Sequence, residues 1–137
     1  MPLKIELKPN ESIIIGESLI KNDKERIRFY IDGSAPILRE KYILLEKDAN
    51  TPCKKIYFVV QQMYLSKNPK ELHEIYFKLI RDVFAAAPNL INNIMDINES
   101  ILAGKYYVAI KNAVKLVEKE EELYGDIFSE DEKKKNT

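Results

Sequence analysis

Cys53 and His73 are the only cysteine and histidine in a chain of 137 residues, and they are the first place to look for chemistry. A thiol nucleophile needs a base within hydrogen-bond reach and a third group to orient that base. The sequence marks no such third group, so Cys53 reads as an inert first-turn helix residue and His73 as a solvent-facing one. A lone cysteine also forms no intramolecular disulfide and supplies no zinc set. The carboxylates from Glu118 to Glu122 stand among lysines on a helical stretch and read as a solvated face. Gly16, Gly33, Gly104 and Gly125 are isolated, which leaves no glycine-rich loop to cradle phosphates. From these residues we expect no enzyme, no cofactor and no metal.

Recognition chemistry has more material. Lys4 and Lys8 lie on the charged side of a first strand, Lys24, Arg26 and Arg28 on a turn and a later strand, and Arg39 and Lys41 around the last strand. Such groups hold the phosphates or bases of single-stranded RNA. The plainer alternative is that alternating Lys and Glu keep an outer sheet face soluble and block edge pairing. Tyr106 and Tyr107, between Lys105 and Lys111, have the composition of a stacking platform. Adjacent helical residues point about 100° apart, however, so one tyrosine belongs to the core and at most one meets a ligand. Tyr57, Tyr64 and Tyr107 are the candidate anchors for a partner protein, since aromatic anchors dominate protein interfaces.

The elements that must position these residues divide the chain. Leu3, Ile5 and Leu7 alternate with Lys4, Glu6 and Lys8, the period of a half-buried strand. Pro9 and Asn10 make a turn. Ser12 to Ile15 is a β-branched run stopped by Gly16, with Glu17 to Ile20 continuing beyond a bulge. Ile27 to Ile31 and Ile37 to Arg39 complete a small antiparallel sheet or barrel. From Thr51 the apolar period becomes helical. Thr51-Pro52 is an N-cap followed by proline at the first helical position, and Asn68-Pro69 with Glu71 repeats the device as a capping box. Leu90 to Ala103 reads as a third helix stopped by Gly104, and Tyr106 onward as a fourth ended by Gly125. The expected fold class is α+β, with a β-rich portion over 1–48, a bundle of about four helices over 51–125 and a disordered acidic tail over 126–137.

Composition sets the outer limits. Lys plus Arg and Asp plus Glu each count 22, so net charge gives no argument for nucleic-acid coating. The neutrality is a sum of unlike parts, because residues 51–117 carry nine basic and five acidic groups and residues 118–137 carry four and eight. No apolar run approaches the ~20 residues of a spanning helix, and the N-terminus has no signal-like block. A reducing cytoplasm is the expected compartment, with no membrane partner.

Ordered pieces of the sequence resemble a known family. Met1-Pro-Leu-Lys-Ile-Glu-Leu-Lys-Pro-Asn-Glu, Ile13-Ile-Ile-Gly16, Ala35-Pro36 with Leu38-Arg-Glu-Lys41, Thr51-Pro52 through Lys55-Ile-Tyr-Phe58 to Met63-Tyr-Leu65, and Gly104-Lys-Tyr-Tyr107 with Ala109-Ile-Lys111 are similar to the FlbT family of flagellin regulators. The similarity covers about residues 1–123. It implies a post-transcriptional repressor that associates with the 5′ untranslated region of flagellin mRNA and promotes its decay, with a separate nuclease, and with FlaF and flagellin as protein companions.

A second resemblance bears on the β portion. Glu11, Ile15-Gly16, Ile27-Arg28, Ala35-Pro36 and Arg39-Glu40 follow an order similar to the carbon storage regulator family CsrA, a β-strand dimer that binds RNA through its first and last strands. The stretch between Pro36 and Arg39 is shorter than in that family, and Leu7 stands where it has an arginine. The resemblance implies a homodimer through the β portion, with Arg39 contacting a base or phosphate and the strand-one edge near Ile5, Leu7 and Lys8 facing the RNA. Taken with the outward basic residues, the candidate RNA contacts are Lys4, Lys8, Arg28, Arg39 and Lys41. The alternative is a protein-binding adaptor whose helices grip flagellin or FlaF and affect mRNA indirectly.

Overall fold

The computed structural model describes the backbone of residues 2–135 and the side chains of residues 2–125. It divides into two compact units, Met1–Ile43 and Leu44–Thr137. The first carries strands β1 (Leu3–Leu7), β2 (Ser12–Ile15), β3 (Ser18–Lys21), β4 (Ile27–Ile31) and β5 (Ile37–Arg39), and the second carries helices α1 (Pro52–Leu65), α2 (His73–Ala86), α3 (Ile91–Leu102) and α4 (Tyr106–Lys135).

In the first unit the strands form two antiparallel ladders: β1 with β4, and β2 between β3 and β5. No barrel closes. The register pairs Ile5 with Phe29 and Leu7 with Ile27 on one face of the first ladder, and Lys4 with Tyr30 and Glu6 with Arg28 on the other. Side chains of directly paired residues share a face, so the alternation in Leu3–Leu7 is converted into an apolar side and a polar side. Ile5, Leu7 and Ile13 are buried together, and Ile15, Phe29, Ile31 and Ile37 pack against them. Both ladders therefore turn their apolar faces to one small core.

The turns explain the short strands. Gly16 has φ +62 and opens a two-residue connection, since Ile15 pairs with Ser18. A side chain there would be forced into the left-handed region. This is a hairpin, where the sequence reading had a bulge. Asn22 is buried in the next turn, and its Nδ2 donates to the carbonyls of Leu7, Lys8 and Glu25 at 3.3, 2.8 and 2.8 Å. That one amide ties the end of β1 to the approach to β4.

The helical unit begins as its caps dictate. Thr51 Oγ1 accepts from the Lys54 N–H at 3.2 Å and Pro52 opens α1. The capping box at Asn68 and Glu71 does not form. Pro69–Leu72 is instead a 3-10 turn without a side-chain cap, and α2 starts only at His73. Gly104, at φ +72, ends α3, with Lys105 N–H donating to the Ser100 carbonyl at 2.9 Å. The apolar faces of the four helices meet around Ile56, Val60, Met63, Tyr76, Ile94, Ile97, Ile110 and Leu116. The backbone of α4 passes through Gly125, where the sequence reading ended it. The acidic tail over 126–137, read from the sequence as disordered, lies outside the residues whose side chains are described.

Candidate nucleic-acid interface

The polar face of the β1–β4 ladder brings Lys4, Glu6, Arg28 and Tyr30 together. Glu6 stands between two cations: Lys4 Nζ lies 3.5 Å and Arg28 Nε 3.4 Å from its Oε1. Tyr30, directly across from Lys4, is 65% exposed. Three charged side chains and one ring thus share a single small face. The ion pairs are solvent-exposed and worth about 0–1 kcal/mol each. A phosphate can displace Glu6 from either cation at little cost.

The remaining expected contacts are distributed differently. Lys8 follows directly on β1 and is exposed, its backbone N–H donating to Glu11 Oε1 at 2.9 Å. Arg39 belongs to the other ladder, where it pairs with Ile13 on the side that carries the buried cluster, and it is half-buried. Lys41 sits in the 3-10 turn Glu40–Tyr42, its ammonium 4.9 Å from the Tyr42 ring centroid. Lys4 and Arg28 are therefore brought together, Lys8 extends their strand, and Arg39 and Lys41 lie on a separate ladder and the turn after it. Tyr30 was missed by the sequence reading. Its signal was available: an aromatic at an outward position of the strand Ile27-Arg28-Phe29-Tyr30-Ile31.

The candidate protein anchors separate in the helical unit. Tyr57 is only 7% exposed and belongs to the core of α1, which corrects the expectation that it is a surface anchor. Its place, one residue after Ile56, lies on the wide apolar stripe facing the bundle. Tyr64 and Tyr107 do meet, with ring centroids 5.6 Å apart, and Lys111 Nζ lies 4.9 Å from the Tyr107 ring centroid. Tyr107 remains 39% exposed. Tyr106 instead turns to His73, whose Nε2 is 3.2 Å from the tyrosine hydroxyl, so His73 is half-buried and partnered rather than solvent-facing.

Glu120 is the other correction. It does not belong to a solvated face: it is 3% exposed, accepts from the Thr51 hydroxyl, and accepts from the Cys53 N–H at 2.9 Å. A carboxylate thus caps the N-terminus of α1 from another helix, where the exposed N–H groups and the helix dipole favour negative charge. Burial pushes the Cys53 thiol well above its ordinary range, and the neighbouring Glu120 carboxylate adds to the effect. Cys53 is a buried, protonated thiol, and a protonated thiol is a poor nucleophile. Burial likewise raises the Tyr76 phenol. A cavity of about 150 Å³ lies beside this cap, lined by Pro52, Cys53, Val83, Leu90, Glu120 and Tyr124 among others. Among the described residues, no group of three or more His, Cys, Asp and Glu is placed to hold a metal, and no helix is long and apolar enough to cross a membrane.

Fold and site together define an α+β protein with a charged, tyrosine-bearing sheet face and an aromatic-basic helix surface. The chain belongs to the family described as Flagellar protein FlbT, which matches residues 3–124. It is 49% identical over 126 residues to the probable flagellum biosynthesis repressor protein FlbT 1 of Bradyrhizobium diazoefficiens, covering 91% of this chain and 86% of the relative. It is 45% identical over 123 residues to the probable flagellum biosynthesis repressor protein FlbT of Rhodopseudomonas palustris, covering 90% and 98%. Identity to the flagellum biosynthesis repressor protein FlbT of Caulobacter vibrioides is 30% over 132 residues, covering 94% of each chain. No solved structure matches the chain.

Proposed function

We propose that this chain represses flagellum biosynthesis after transcription, in the cytoplasm, by associating with the 5′ untranslated region of flagellin mRNA and promoting its decay. The repressor role is supported by the names of relatives that align over nearly the whole chain. The observation that carries the RNA contact is the Lys4–Glu6–Arg28 group beside exposed Tyr30, extended by Lys8. Cations hold phosphates and the exposed ring offers a face to a base. The nuclease is a separate protein, and a second copy of the chain pairs through the β portion, where β3 is exposed along its length with Leu19 and Ile20 uncovered.

Titration of the protein into a labelled flagellin leader RNA and a scrambled control, at two salt concentrations, tests this reading. The leader is expected to bind more tightly and to lose affinity as salt rises, with a log–log slope of roughly −0.7 per phosphate contact. Lys4→Ala with Arg28→Ala flattens that slope. Equal or absent binding of both RNAs overturns the reading.

The Tyr64–Tyr107–Lys111 cluster supports a second reading, in which the helical unit grips flagellin or FlaF and acts on mRNA indirectly. Coelution with either protein, lost in Tyr107→Ala and accompanied by no RNA retention, favours it.

A further inference from the structure

We propose that Tyr30 is a base-stacking platform and that Glu6 beside it selects a base bearing an exocyclic amine; this rests on the RNA-binding reading and adds a ligand geometry to it. Among the described residues Tyr30 is the most exposed aromatic of the large hydrophobic side chains, at 65%, and it stands on the paired strands β1 and β4. Its same-face neighbours are fixed by register. Lys4 is directly across, Arg28 is two residues along the same strand, and Glu6 is the diagonal neighbour because it pairs with Arg28. Diagonal positions lie roughly 7–8 Å apart, within reach of aromatic and long side chains. A base laid on the Tyr30 ring therefore extends its edge toward Glu6, while its flanking phosphates lie toward Lys4 and Arg28.

The state of Glu6 makes it a reader rather than a spare charge. Both cations engage Oε1, and the Glu6 side chain is 44% exposed, which leaves the carboxylate open to a further donor. The strand register, and not the weak exposed ion pairs, sets where the carboxylate stands, and a carboxylate oxygen released as phosphates take up Lys4 and Arg28 accepts an N–H. Cytosine presents its 4-amino group to such an acceptor, whereas uracil presents a carbonyl oxygen in the same place and meets acceptor with acceptor. The two bases are alike in ring size, so their difference isolates the carboxylate from the stack.

The experiment compares oligocytidylate with oligouridylate against the full chain and five variants, with circular dichroism confirming that each is folded. Wild type is expected to prefer oligocytidylate. Tyr30→Phe keeps the ring and keeps binding, while Tyr30→Leu weakens both oligomers by roughly 5- to 160-fold, the range for loss of one stacked base. Glu6→Gln is expected to erase the preference, because an amide offers donor and acceptor alike, without losing affinity overall. Wild-type affinity in Tyr30→Leu, with Lys4→Ala and Arg28→Ala still weakening, overturns the stacking platform and leaves the RNA-binding reading standing. A preference for oligocytidylate that persists in Glu6→Gln overturns the reader. No binding of either oligomer or of leader RNA overturns this inference and the RNA-binding reading together.

Discussion

The two units differ in how much of their surface the fold consumes. Each of the four helices contributes several buried side chains to the helical unit, among them Ile56, Val60, Met63, Tyr76, Val83, Ile97, Ile110 and Leu116, whereas the β unit gathers Ile5, Leu7 and Ile13 with a rim of half-buried neighbours. A helix turns its residues through every direction and can devote a wide stripe to packing. A two-stranded ladder gives only alternate residues to the core and leaves the rest on one flat face. Hence the helical unit holds the larger buried core, and the β unit leaves Lys4, Glu6, Arg28 and Tyr30 together on one outward face.

The sharpest test of that difference is core truncation. Ile97→Ala is expected to cost about 2–5 kcal/mol and to move the midpoint of urea unfolding followed by helical circular dichroism. Leu7→Ala is expected to act first on the β1–β4 amides, seen by hydrogen exchange, before the helical signal changes. A single coincident transition for both variants would break the comparison, since the units would then fold as one.

Removing a buried partner comes next. Glu120→Ala leaves the Thr51 hydroxyl and the Cys53 N–H without their acceptor, a loss of about 1–3 kcal/mol, read as a lower urea midpoint. Asn22→Ala frees the carbonyls of Leu7, Lys8 and Glu25 and is expected to cost about 1–2 kcal/mol. Its signature is faster amide exchange at the end of β1, with α1 to α4 unaffected.

The pH dependence is smaller and belongs to the helical unit. The Cys53 thiol and the Tyr76 phenol are both raised by burial from ordinary values near 9 and 10. Each contributes its stability in full below the ordinary value and loses it as pH climbs toward the folded one, because above about 9 the unfolded chain releases protons that the folded chain keeps. Unfolding midpoints should therefore be flat with respect to these two groups up to about pH 9 and fall beyond it, and Cys53→Ala should soften the onset. The smallest effect is on the recognition face. Lys4→Ala is expected to change stability by no more than about 0.5 kcal/mol, which makes any larger effect on RNA binding a property of the interface.

Local pattern carried much of the architecture. The alternation in Leu3–Leu7 and Ile27–Ile31 placed two strands, and Thr51-Pro52 placed the start of α1, because strand period and N-cap chemistry act over a few residues. The same kind of evidence failed at Asn68 and Glu71, where Pro69 opens a 3-10 turn and α2 begins later. It failed also at Gly16, where a positive φ serves a hairpin. Of the candidate site, Lys4, Lys8 and Arg28 were legible as outward basic residues near one strand pair. Tyr30 was not, since an aromatic in a strand is as readily a core residue until the partner strand fixes which face it occupies.

The sequence by itself determined the α+β class, the periodicity of each half, the first helix cap and the family, all of which depend on neighbouring residues or on ordered similarity along the chain. Only the tertiary structure decided that Glu120 caps a helix far from it in sequence, that Tyr57 is core while Tyr107 is surface, that His73 meets Tyr106, and that Glu6 stands between Lys4 and Arg28 beside Tyr30. Those facts rest on which elements pair and in what register. A carboxylate, a tyrosine or a histidine has no intrinsic preference that settles its partner, so its role is assigned only when distant segments are brought within a few ångströms.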